Sequence, residues 1–213
     1  KDVKILYAGG MSPYDLHMVK GKDVRRLADM KGKKIRASGA LHTKIIKLFD
    51  AVPVGMAAPE IPISMQKGVI DGQFNHLGFV KSFRSEEFTA SITKVGVSSL
   101  TFVLVMNKKI YDGLPPEVKS LIEEIAPKYS ALLGKAHDAM ATDSVEMLKK
   151  AGAIFHDLPA EDMNEIGRIV SPLWSEWMAE VEAKGVPGKK IVSDYYDIYK
   201  GLGVRNPFHG YKK

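Results

Sequence analysis

The chain has 213 residues, 45% of them hydrophobic and 26% charged, the balance of a folded globular protein rather than a disordered one. Its net charge of +6 comes from lysines scattered among acids, as at Lys119, Glu123, Glu124 and Lys128, the pattern of a solvated helix face and not of a nucleic-acid groove. There is no cysteine, so disulfides, thiol catalysis and cysteine metal sites are excluded. No apolar run is long enough to span a bilayer, so direct membrane insertion is not expected.

Val3 to Ala8 reads as a strand ended by Gly9-Gly10, and the opening Lys1-Asp2-Val3 reads as part of a longer protein. Met11 to Gly21 is mixed. Val24 to Met30 is a short helical turn and Lys33 to Ala37 a strand. Ser38 is placed to cap a helix whose apolar stripe is Leu41, Ile45, Leu48 and Phe49. Val52 to Val54 is a short strand, Pro59 to Lys67 a helix stopped by Gly68, and Val69 to Asp71 another strand.

Val95 to Met106 is a long β-rich run whose small polar residues, Ser98 and Ser99, give way to continuous apolar ones near Thr101; it is expected to cross between two lobes. Pro115-Pro116 starts a helix that pauses at Pro127, and a second helix ends at Gly152. Ala153 to Leu158 is a strand, Ala160 to Lys184 is helical with a kink at Pro172, and Lys189 to Tyr199 is a last helix. Strands alternating with helices make this an α/β protein.

The chemistry-bearing residues fall at the ends of two of these strands. Alternation places Ile35 and Arg36 on opposite faces, and a helix follows within a few residues. An arginine at a strand end, in an open α/β sheet, reads as a carboxylate receptor, because its planar fork matches both oxygens of the anion; a surface arginine paired with an acid is the other reading. Asn75, beyond Val69-Ile70-Asp71-Gly72, is either a ligand contact or a loop asparagine bonded to its own backbone. Phe74 packs either on the ligand or in the core. The six histidines, His17, His42, His76, His137, His156 and His209, show no helical ligand spacing, so no metal site is expected. No nucleophile elbow or phosphate loop is present, so no cofactor is expected and no catalytic residue is assigned.

Asp29-Met30-Lys31-Gly32-Lys33-Lys34-Ile35-Arg36, Val52-Pro53-Val54, Glu60 and Gln66-Lys67-Gly68-Val69-Ile70-Asp71-Gly72, with Met106-Asn107-Lys108 and Tyr111-Asp112-Gly113-Leu114-Pro115 further on, resemble the substrate-binding proteins of tripartite ATP-independent periplasmic (TRAP) transporters. The resemblance implies a periplasmic binding protein-like fold, with two α/β lobes joined by crossing strands and closing on the ligand. On that resemblance, this chain would correspond to the later part and would lack most of the first lobe. Residues 1–100 would be the first segment of the second lobe, 101–140 the return to the first lobe, and 141–213 the completion of the second lobe.

The resemblance also implies that Arg36 pairs with the ligand and that Asn75 contacts it. Ala58 stands where the family often has an aromatic residue, a change that leaves space for a bulkier substrate. Tyr14 or His17 supplies a neutral contact in place of a second arginine that some members carry. The implied function is capture of a small organic anion in the periplasm and delivery to TRAP membrane subunits, without catalysis. An α/β enzyme using His76 or Asp71 as base, or a ligand-sensing domain, is the alternative.

Overall fold

Short strands alternate with helices along the chain, and the amphipathic helices fold back over the sheets that those strands build. The computed structural model describes residues 2–202. In chain order the elements are β1 (Val3–Gly10), β2 (Tyr14–Met18), β3 (Lys34–Arg36), α1 (Gly39–Leu48), β4 (Val52–Val54), α2 (Ile61–Gln66), β5 (Gly72–His76), α3 (Gly78–Phe83), β6 (Ser91–Lys94), β7 (Thr101–Asn107), α4 (Lys108–Asp112), α5 (Pro116–Lys150), β8 (Ile154–Asp157), α6 (Ala160–Val170), α7 (Pro172–Glu182) and α8 (Gly188–Gly201).

The strands form two sheets. One is a two-stranded antiparallel ribbon of β1 and β7; the other has six strands in the order β4-β3-β5-β2-β6-β8. In the larger sheet all neighbours are parallel except β2, which runs against both β5 and β6. The C-terminal ends of β3, β4, β5, β6 and β8 therefore share one edge with the start of β2. That edge is where an open α/β sheet takes a ligand.

Both faces of the larger sheet are covered. Tyr14, Leu16, Met18, Ile35 and Phe74 pack on one face with Ile45, Ile46 and Phe49 of the α1 region and Ile166 and Val170 of α6. Side chains such as Ile35 and Phe74, wholly buried, each contribute about 1.5–3 kcal/mol. On the opposite face lie two smaller clusters, one of Ile61, Met65, Ile70 and Phe79, the other of Val80, Ile92 and Leu148. Helix α5 packs along β1 and then against α3, spanning both sheets. Gly9 makes the first of these approaches possible, since a Cβ there would lie 2.6 Å from Leu133.

Several expectations are corrected. Residues 14–18, read from sequence only as mixed, form a central strand in which Asp15 and His17 alternate with Tyr14, Leu16 and Met18. The strand expected at Val69–Asp71 begins three residues later, as β5. Val69 instead turns back, its N–H donating to Ser64 O (2.9 Å), and Asp71 ties the strand start to Lys34 through N–H to carbonyl and carboxylate to N–H contacts of 2.8 Å each. The buried side of α1 is His42, Ile45 and Ile46 with Phe49, whereas Leu41 and Leu48 are exposed.

Ser38 occupies the N-cap position of α1, but its hydroxyl bonds His42 rather than capping the helix. Helix α5 does not pause at Pro127: both Pro127 and Glu123, whose carbonyl loses its helical partner, are exposed, so water can satisfy that carbonyl. The break at Pro172 is present, between α6 and α7.

The expected segments map onto the sheets as follows. The segment 1–100 spans both, with β1 in the ribbon and β2 to β6 in the larger sheet. Residues 95–100 form no strand, and the chain passes through them from β6 in one sheet to β7 in the other. Position 140 falls inside the single helix α5, and of the segment 141–213 residues 203–213 lie outside the described residues.

Candidate ligand-binding site

Arg36 is the last residue of β3. Ile35 points into the α1–α6 core, so Arg36 lies on the other face, in register with Gln73 of β5. It retains only 8% exposure, yet its Nη2 has a single long hydrogen bond, to Met56 O at 3.4 Å, and its buried Nε has no partner. No carboxylate among the described residues pairs with it. Burial pushes the guanidinium pKa below its ordinary value, with the neighbouring Tyr14 opposing the shift. A buried cation without a counter-ion is costly unless an anion is supplied from elsewhere.

Asn75 sits on the same face, two residues beyond Gln73 and opposite Asp15 of β2. Its amide is held: Nδ2 donates to Gln73 Oε1 (2.9 Å), and Oδ1 accepts from His76 N–H (3.0 Å). Its second Nδ2 hydrogen is left to donate to an acceptor such as a carboxylate, and Oδ1 keeps one lone pair. Asp15 is 7% exposed and accepts from Val95 N–H (2.9 Å); burial raises its pKa to about 6, against the help of the Val95 and Gly96 amides.

His17 is on this face too, paired with Gln73 and Ile92, wholly buried and with neither ring nitrogen partnered. Burial, aided by His76, lowers its pKa to about 3. His42 and His76 are each lowered to about 4, chiefly by burial. All three are neutral at pH 7, and Arg36 is the fixed positive charge of the site.

Tyr14 starts β2 at this edge, its phenol held near Ser38 and the Arg36 charge. Its ring lies 4.4 Å from that of His42 and 5.4 Å from Phe74. Phe74 is not brought to the Arg36 face: it is wholly buried on the other side, in the core, because β5 starts three residues later than expected and alternation then sends Phe74 inward. Ala58 lies in a single helical turn after β4 and packs, half-buried, against the cluster that includes Val54, Met56 and Phe79.

The structure thus brings Arg36, Asn75 and Tyr14 to one edge, puts His17 deeper on the Arg36 face, and leaves Phe74 on the opposite face, in the core against the Tyr14 ring. Sequence reasoning missed Gln73, Asp15, His42 and the Met56 carbonyl. The signal for Gln73 is its i, i+2 spacing to Asn75 once the strand is placed correctly; for His42 it is the i, i+4 spacing to Ser38 on α1.

Asp71 lies at the start of β5, the end away from Asn75, and is engaged by Lys34 N–H and by Lys22 Nζ (3.0 Å), so it is not placed to serve as a base with His76. Among the described residues no group of three His, Asp or Glu side chains could hold a metal ion, and no helix is long and apolar enough to cross a membrane. His209 lies outside the described residues.

An open mixed sheet with an unpaired arginine and an oriented amide at its C-terminal edge, joined to a second sheet by two adjacent crossing segments, is the architecture of a two-lobed solute-binding protein. Residues 11–181 match the model of the bacterial extracellular solute-binding protein family 7, DctP, and the chain belongs to that family.

It is 26% identical over 164 residues to the C4-dicarboxylate-binding periplasmic protein DctP of Rhodobacter capsulatus, a match covering 75% of this chain and 48% of that protein. A TRAP solute-binding protein of an unidentified marine microbe, specific for aromatic acid ligands and solved with metahydroxyphenylacetate, superposes with a TM-score of 0.83 at 28% identity, covering 93% of this chain and 64% of that one. A TRAP solute-binding protein of Rhodoferax ferrireducens, solved with copurified benzoate, superposes with a TM-score of 0.80 at 27% identity, covering 90% of this chain and 61% of that one. The chain spans about half the length of the curated relatives it matches.

Proposed function

We propose that the protein captures a small organic carboxylate outside the cytoplasm and hands it to the membrane subunits of a TRAP transporter, without chemical conversion. The observation that carries this reading is Arg36: a buried guanidinium with, among the described residues, one long hydrogen bond and no acidic partner, on the same sheet face as the oriented Asn75 amide. A carboxylate pairing with Arg36 and accepting from Asn75 would supply the missing anion. Tyr14 stands at the same edge as a neutral contact. His17, neutral and buried, sets the polarity of the face beneath it. The protein works in the periplasm, where TRAP receptors meet their transporters.

The ligand class is an aromatic or otherwise broad acid. Two observations support it: Ala58 stands where the resemblance implies an aromatic side chain in many members, and two structural neighbours hold metahydroxyphenylacetate and benzoate. Native mass spectrometry and calorimetry of the whole protein with benzoate, metahydroxyphenylacetate and succinate test this. Unit-stoichiometry binding of an unchanged acid is the expected result. Conversion of the acid would overturn the carrier reading, and binding that survives loss of the Arg36 charge would overturn the site.

A further inference from the structure

Of the three segments that join the sheets, residues 11–13 and 95–100 run side by side, and the third is carried by helix α5. Met11 N–H donates to Leu100 O (3.0 Å), Tyr14 N–H to Ser98 O (2.8 Å) and Gly96 N–H to Tyr14 O (3.2 Å). Val95 N–H is held by the Asp15 carboxylate. Gly96 takes φ +63°, a left-handed conformation that a side chain would strain, so the bend is set just after β6. Backbone pairing of this kind fixes the two segments to one another. It does not by itself tell them whether a ligand is present.

One side chain of α1 connects them to the anion site. His42 Nδ1 shares a 2.7 Å hydrogen bond with Ser38 Oγ, two residues past Arg36, and His42 Nε2 shares a 2.9 Å hydrogen bond with Ser98 Oγ in the crossing segment. The ring is clamped in its plane, with Tyr14 tilted against it at 4.4 Å and Phe74 edge-on at 5.2 Å. Only 5% of the residue is exposed, so water does not readily replace either bond.

We propose that His42 is a positioning residue that locks the 95–100 segment to the Arg36–Ser38 crossover, coupling occupation of the anion site to the path of the chain between the two sheets. The proposal rests on the carboxylate-site reading above. An anion drawn onto Arg36 must settle the adjoining crossover. Ser38 moves with that crossover, and the rigid imidazole passes the displacement to Ser98, because a clamped ring with both nitrogens engaged has no other way to keep its two bonds. A neutral imidazole suits the task, one nitrogen donating and the other accepting. Burial and the Arg36 charge keep it neutral.

These 213 residues contain no cysteine, so spin labels can be placed in them once any cysteine elsewhere in the whole protein is replaced. Cysteines at the exposed positions Lys47 on α1 and Lys109 on α4 report the distance between the larger sheet and the ribbon, with benzoate as the probe. In the whole protein, Ser98→Ala, which loses one buried hydrogen bond, is expected to widen the ligand-free distance distribution and to speed benzoate dissociation about three- to tenfold, and His42→Phe, which loses both, to do so at least as strongly. His42→Gln, which can donate and accept, is expected to restore part of the narrow distribution. A Ser98→Ala protein with unchanged width and an unchanged dissociation rate overturns the proposal. A parent protein that binds no benzoate overturns the site reading and the coupling with it, while the ligand-free width still decides the lock on its own.

Discussion

Arg36 offers the sharpest separation of function from stability. In Arg36→Met the apolar stem of the side chain is kept and its packing against the sheet is retained. What is lost without ligand is one hydrogen bond, to Met56 O at 3.4 Å, at the long end of the useful range and therefore toward the low end of the usual contribution of about 0.5–1.5 kcal/mol. What is gained is relief from holding a charged group out of water. The full penalty for a buried ion is several kcal/mol, and discounting it for the partial solvation left to the head group leaves about 1–2 kcal/mol. The two effects nearly cancel, with the balance on the side of stabilisation, so the ligand-free variant should unfold at the same urea concentration as the parent or a higher one.

An arginine retained for structure behaves in the opposite way, since breaking a buried ion pair costs about 3–5 kcal/mol, which would lower the melting temperature by several degrees in a chain of this size. For binding, loss of a desolvated charge partner costs about 2–5 kcal/mol, so benzoate affinity should fall by about 30-fold or more. Urea unfolding and calorimetry on the same preparation give both numbers. An Arg36→Met protein that unfolds more easily yet binds benzoate as before would refute the reasoning at both points.

Three further outcomes are expected. Asp15 has a folded pKa of about 6 against an ordinary 3.8, so its contribution is intact below the lower value and is lost as pH rises through the upper one. Asp15→Asn, whose side-chain oxygen can still accept from Val95 N–H, should therefore gain on the order of 2–3 kcal/mol over the parent between pH 4 and pH 7.5; parallel urea-stability curves across that interval would remove the carboxylate from the account. Gln73→Leu frees the Asn75 amide to rotate and should weaken benzoate binding about three- to tenfold with little change in melting temperature, as Gln73 Nε2 already lacks a partner; calorimetry beside a thermal melt checks both. Ala58→Phe should abolish the thermal shift given by benzoate while leaving any shift given by acetate, because a bound ligand stabilises only the fold that can hold it; an undiminished benzoate shift would show that Ala58 does not border the ligand.

Arg36 was legible because strand alternation and its place at a strand end are local facts. Asn75 was legible as a residue of the site edge but not as a strand residue. The β-branched pair Val69-Ile70 looked like the strand, and only the long-range bonds from Asp71 to Lys34 show that the ladder starts after it. That three-residue displacement also sends Phe74 into the core. Strand β2 was missed for a different reason: it is short, and the polar Asp15 and His17 that alternate with its apolar residues look like surface positions although both are buried. The stripe of α1 was displaced because a buried histidine, bonded to two serines, occupies a position where hydrophobicity alone would put leucine.

Two of these misreadings, of β2 and of α1, trace to buried polar residues, and that bears on function. Asp15, His17, Arg36, Gln73 and Asn75 share one face of three adjacent strands, and each is less than a tenth exposed. Apolar residues of similar size there would give a more stable sheet, since buried polar groups at best break even when fully bonded and here are not: both His17 nitrogens, Gln73 Nε2 and Arg36 Nε lack partners. Surface charges make a poor comparison, because pairs such as Lys44–Glu176 and Lys190–Asp194 are exposed and contribute little in either direction. A fold that keeps several unsatisfied polar groups on a central face has given up stability, and local rules are broken in this way where a site needs them. The places where hydrophobic pattern fails as a guide to this chain's structure are therefore the same places from which its ligand chemistry is read.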